Sequence, residues 1–147
     1  MLRSLTLTVA VAALSLAATG STAKPAAKLA VPTRLLPLSD KDMFSGPETG
    51  CQLAFSQGNS SYVFVIGNRF TFRTEAGINN CTMSQEEFSG FGSDSTPMTC
   101  GGRKFVIRAT GKTKSYPEAD SVETPSAMTM TEGGKSRTVK GMWSSAC

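Results

Sequence analysis

The sequence contains no histidine among its 147 residues. That absence removes Ser-His-Asp and Cys-His catalysis, imidazole metal ligands and a histidine pH switch together, because each depends on a side chain that exchanges a proton or lone pair near neutrality. Closely spaced cysteines are missing too. Cys51, Cys81, Cys100 and Cys147 contain no Cys-x-x-Cys pair, which argues against a tetrathiolate zinc site and against thiol redox catalysis. After the first 23 residues there is no long apolar run. The expectation is therefore a chain without metal, without cofactor and without an enzyme's machinery.

The remaining routes to catalysis are thin. A Ser-x-x-Lys spacing runs from Ser21 to Lys24, but its serine belongs to the segment expected to be removed. Gly111-Lys112-Thr113 resembles the end of a phosphate-binding loop, yet the glycine required five residues earlier is Val106. Glu86 and Glu87 are adjacent acids, and both have structural reasons to be there. Ser84 and Glu87 have the spacing of a capping box, Met83 and Phe88 that of a hydrophobic staple, and Glu86 favours the positive end of a helix dipole. A short helix is expected from Ser84, ending near Gly90.

What is present begins with a leader. Met1-Leu2-Arg3 is a short basic start, Leu5 to Ala18 is apolar or small, and Ser21-Thr22-Ala23 offers a cleavage site, so residues 1–23 read as a signal peptide. An apolar run this short spans a bilayer poorly, and no cysteine follows it for lipid attachment. The mature chain is thus expected in the periplasm or outside the cell, without stable membrane insertion. In an oxidising compartment an even number of cysteines reads as disulfides. Four cysteines permit three pairings. The favoured one joins Cys51 to Cys147 and Cys81 to Cys100, since a bridge at the final residue ties the last strand to the body of the domain.

Residues 24–49 carry Pro25, Pro32, Pro37 and Pro47, which forbid a long helix or a central strand. An extended lead is expected, its second half packing on the domain through Leu35, Leu36, Leu38, Met43 and Phe44, with a helical turn begun by Ser39. From residue 50 to 147 the pattern is β. CQLAFS alternates, SYVFVIG is aromatic and β-branched, and RFTFRT places Phe70 and Phe72 opposite Arg69, Thr71 and Arg73. RKFVIRAT, AMTMT and SRTVKGMW follow, with Gly133-Gly134 suited to a tight hairpin. The polar stretch from Gly111 to Ser126 reads as the longest loop. The expected fold is mostly β: a small antiparallel sheet, sandwich or barrel of six or seven short strands with one short helix, held by disulfides. A domain of about this size buries only about 60–65% of its unfolded surface, so covalent staples suit it.

Charge carries the functional signal. Removing the leader takes Arg3 from the 15 basic residues, leaving 14 against 11 acids, or +3. Arg103, Lys104, Arg108, Lys112 and Lys114 fall between Ser95 and Pro117 with no acid among them, while Lys135, Arg137 and Lys140 lie on the final hairpin. If these strands are neighbours, one face is basic. Such a face could dock an acidic protein or an anionic envelope polymer, or could be a solvated surface whose lysines prevent edge pairing. Nucleic acid is not expected, given export and the few aromatics spaced among the basic residues. The chain therefore reads as a non-catalytic binding or structural module. A leader followed by a small two-disulfide β domain is also similar in architecture to the periplasmic inhibitors of lysozyme, which present a loop to an acidic cleft. That resemblance implies an alternative in which the loop from Arg108 to Lys114, or the hairpin around Lys135, enters a carboxylate-lined site.

Non-reducing mass analysis of the exported protein should find a chain beginning at Lys24 with no free thiol. A retained leader or reactive thiols would overturn the compartment argument.

Overall fold

The computed structural model describes residues 33–93 and 95–147. The expected leader and the first part of the Pro-rich lead lie outside the described residues. The strands are β1 (Leu35–Leu36), β2 (Gln52–Gln57), β3 (Ser60–Ile66), β4 (Arg69–Thr74), β5 (Gly77–Thr82), β6 (Met98–Cys100), β7 (Arg103–Ala109), β8 (Lys114–Tyr116), β9 (Ser121–Glu132) and β10 (Lys135–Ala146). Two short helices, α1 (Asp40–Met43) and α2 (Gln85–Gly90), and a 3-10 turn at Pro117–Ala119 complete the described elements. The fold is mostly β and antiparallel, as the alternating pattern implies.

The strand order is β5-β4-β3-β2-β10-β9-β7-β6. β1 continues the edge of β4 that β3 leaves, and β8 continues the edge of β9 that β7 leaves. Most neighbours are simple hairpins; the longest-range exception is β10, which pairs with β2 and so joins the last strand to the first long one. Their register runs Trp143 opposite Phe55 and Ala146 opposite Gln52, which places Cys147 and Cys51 on the next rung, where they form a disulfide. The sheet curls until β5 and β6, the two ends of the ladder, are joined by Cys81–Cys100. The favoured pairing is the one observed.

Period-two alternation explains the core. Phe55, Val63, Val65, Phe70, Phe72, Phe105, Ile107, Met128, Met130 and Trp143 point into the curl and are buried. Phe105 lies 5.1 Å from Phe70 and 4.8 Å from Phe72, ring centre to ring centre. Each such side chain contributes about 1.5–3 kcal/mol on burial. α2 covers one end of the curl. Ser84 caps it by accepting from Glu87 N, the Glu87 carboxylate accepts from Ser84 N, and Met83 is buried with Phe88 packed against the core.

β3 reads as an unbroken apolar run because both its faces are covered. Val63 and Val65 face inward, while Phe64 and Ile66 pack outside with Leu38 and Met43. The lead is fastened there by charge. Ser39 caps α1, and Asp42 accepts from Ser39 N and Oγ and from Arg73 Nη2 at 3.0 Å. The Ser39 backbone hydrogen bond, then its hydroxyl, and Arg73 and Lys41 hold the Asp42 carboxyl below its ordinary value. Arg69 binds Glu48 at 2.9 Å and the Met43 carbonyl at 2.8 Å.

The stretch from Gly111 to Ser126 is not one long loop, and the sheet has more strands than the pattern implies. β8 pairs with the start of β9, which continues through Pro125. The Pro125 carbonyl accepts from Thr110 N, so its missing N–H faces the same side, in the gap between β7 and β8. A proline is tolerated in a central strand because only its carbonyl, not an N–H, is used at that point. Gly141 is needed for a different reason. It lies beside the bulge at Phe55 and Ser56, where a Cβ would strike the Ser56 carbonyl and the Phe55 ring.

The two bridges close loops of very different length, 96 and 19 residues. Chain entropy makes the first worth about 4.7 kcal/mol and the second about 3.3 kcal/mol. Guanidinium denaturation should show the Cys51→Ala/Cys147→Ala protein less stable than Cys81→Ala/Cys100→Ala. The reverse order would mean that joining β5 to β6 matters more than loop length.

Candidate functional site

Register sorts the basic residues into two populations. Along β7, Arg103, Phe105 and Ile107 occupy inward rows, and Lys104, Val106 and Arg108 outward ones. On β9, Ala127 has Arg108 on one side and Lys140 on the other, and Thr131 has Lys104 and Ser136. Lys104, Arg108 and Lys140 are exposed on one outer face and have no acidic partner among the described residues. Between them run hydroxyl pairs, Thr129 with Thr138 at 2.8 Å and Thr131 with Ser136 at 2.7 Å.

The other members of the set are placed elsewhere. Arg103 binds Glu132 at 2.8 Å and lies 5.7 Å over the Phe72 ring, so it serves the structure. Lys135 is the register partner of Glu132 at the hairpin. Lys112 is exposed between β7 and β8. Lys114 sits 4.5 Å over the Tyr116 ring, and its interaction with Tyr116, aided by Glu123, raises its pKa. Arg137 pairs with Met130 on the inward row and ends at the mouth of the curl.

That mouth is crossed by the lead. Thr33 N donates to Glu132 Oε2 at 2.8 Å, Arg103 reaches Thr33 Oγ1 at 3.4 Å, and Leu35 and Leu36 then pair with Thr74 and Arg73. Arg34 is held between these anchors. With Arg137, Gln57 and Tyr62 it rims a pocket of about 90 Å³ over Leu35, Met128, Met130 and Val139. Arg34, Gln57 and Tyr62 carry no motif; the crossing brings Arg34 to Arg137, and the pairing of β2 with β10 and β3 brings the other two.

The opposite end holds a larger cleft of about 540 Å³ between α2 and strands β2, β7, β9 and β10. Leu53, Phe88, Phe91, Val122 and Trp143 line it with Thr113 and Thr124, whose hydroxyls are 2.8 Å apart. Trp143 lies over Gly92, which has a φ of +86° and leaves no room for a Cβ. Among the described residues no ionisable side chain lines this cleft, its two cysteines being bridged to each other.

Among the described residues no cluster of three or more metal-ligating side chains occurs, and no helix is long and apolar enough to cross a membrane. No family model, curated protein or solved structure matches the chain.

Glu132 joins the lead to the hairpin end, and its chemistry gives a pH test. The Thr33 backbone donor, then the Thr33 hydroxyl, and Arg103 lower its pKa against the opposing effect of burial. A carboxylate so depressed adds stability above its unfolded value and loses it as the pH falls through the folded one. Glu132→Gln should therefore cost about 1–2 kcal/mol at pH 7, with the deficit closing below about pH 4.5. Denaturation at both pH values checks this; a deficit independent of pH would rule out the charged contact as its cause.

Proposed function

We propose that this protein is a small, exported, non-catalytic binding module that engages an extended polyanion through the outer face of β7, β9 and β10. The carrying observation is the row of Lys104, Arg108 and Lys140 around a ladder of hydroxyls. Edge protection does not account for Lys104, which has β6 on one side and β9 on the other, whereas Arg108 and Lys140 lie where β7 and β10 run past their outer neighbours. Lys104 and Arg108 stand roughly 13 Å apart along β7, and Arg108 and Lys140 roughly 10 Å apart across β9. Charges spread over a sheet face suit a repeating chain of anionic groups, with serine and threonine hydroxyls hydrogen-bonding between them. An anionic envelope polymer in the periplasm or outside the cell fits this pattern.

The inhibitor reading has two candidate elements, the hairpin around Lys135 and the loop from Arg108 to Lys114, and the loop version requires that loop to project. Residues 110–113 are instead held down. Thr110 N donates to the Pro125 carbonyl at 2.7 Å, Gly111 packs on the Pro125 ring, and Thr113 is tied to Thr124. The geometry therefore favours the face over the loop.

The test is binding of the mature, oxidised protein to polygalacturonate, with dextran as the neutral control. Affinity should fall steeply with salt. The triple variant Lys104→Gln/Arg108→Gln/Lys140→Gln should bind roughly tenfold to hundredfold more weakly while keeping its fold. Equal binding by the triple variant would exclude this face. Tight, salt-sensitive binding to lysozyme but not to the polymer would favour the inhibitor reading.

A further inference from the structure

We propose that the pocket at the hairpin end binds a carboxylate carried on a short aliphatic group. Three features of the pocket lead to this, and none depends on the outer face. Its floor is apolar: Met128 and Met130 are 1% and 3% exposed, with Leu35 and Val139 beside them. Its rim holds two exposed guanidiniums, Arg34 and Arg137, neither with an acidic partner among the described residues. The nearest acid on these strands, Glu132, is already engaged by Thr33 and Arg103.

Two unpaired guanidiniums over an apolar floor favour an anion with a hydrocarbon part. A guanidinium's planar fork of donors matches a carboxylate in particular. Tyr62 adds a hydroxyl at the same rim, whereas the Gln57 amide donates to the Lys140 carbonyl at 3.0 Å. A volume of about 90 Å³ has room for roughly three water-sized groups, so a few carbons enter and the charged head stays at the rim. The backbone of Arg34 is preorganised: it sits on a strap anchored at Thr33 by Glu132 and at Leu35–Leu36 by β4, so only side-chain freedom is lost when it closes on a ligand.

The carboxylate could be that of a free short-chain acid or the C-terminus of a peptide ending in an aliphatic residue. Amide NMR titration of the mature, oxidised protein separates the two. The probes are pentanoate, pentan-1-ol, N-acetyl-alanyl-leucine and the amide of that dipeptide. Pentanoate or the free dipeptide should shift the amides of Leu35, Tyr62, Met130, Arg137 and Val139, and the alcohol and the dipeptide amide should not. Tighter binding of the dipeptide identifies a peptide terminus, and tighter binding of pentanoate a free acid; either supports the site. Arg34→Gln and Arg137→Gln, both at exposed positions, should each weaken binding by roughly tenfold or more. The outer-face triple variant should bind as the parent does, so failure of the polyanion reading leaves this result intact. Absence of local shifts, equal response to pentan-1-ol, or indifference to both arginine variants would overturn the proposal. If a variant loses its dispersed spectrum, the comparison of pentanoate with pentan-1-ol on the parent protein decides.

Discussion

The pairing of β2 with β10 is the constraint on which the rest depends. It brings residues 86 to 94 positions apart into register, sets Trp143 against Phe55, and is continued by Cys51–Cys147. Without it the sheet has two open halves, each with an apolar face and nothing to cover it. With it the halves become one curl whose inner face is its own core, and the seam between β5 and β6 is narrow enough for Cys81–Cys100 to join. The bridge at Cys147 ties the end of β10 to the start of β2. Here β10 supplies one wall of the core.

Curling also decides what each charge can do. Arg103 and Lys104 are adjacent in sequence but on opposite faces. The inward arginine is removed from water and is matched by Glu132, whereas the outward lysine stays solvated and needs no partner. The same alternation sends Arg137 to the mouth and Lys140 to the outside. One basic stretch of sequence becomes a structural ion pair, a pocket rim and an open face. The lead is held by the same logic, since Arg69 and Arg73 face outward on β4 and meet Glu48 and Asp42.

Local chemistry was readable in advance. Ser84 and Glu87 form their capping box, Gly133-Gly134 turns with φ of 56° and 76°, and Phe70, Phe72, Phe105 and Ile107 face inward as their spacing requires. Cysteine number and placement led to the observed pairing. The strand through Pro125 was hidden, because a proline is permitted only if no neighbour needs its N–H, and this depends on where β7 ends. The pocket rim was hidden too. Arg34 has no pattern around it, and its position follows from Thr33 meeting Glu132 across 99 residues.

Alone, the sequence determined the β class, the turns, the helix caps and the missing histidine chemistry, since these depend on side-chain type and on neighbours within a few residues. Tertiary structure decided which strands lie side by side, which cations share a face, and that Arg34 and Arg137 meet over Met128 and Met130. The reason is range. Alternation states that a residue faces in or out, but only long-range register states what stands opposite it, and the site is made of such opposites.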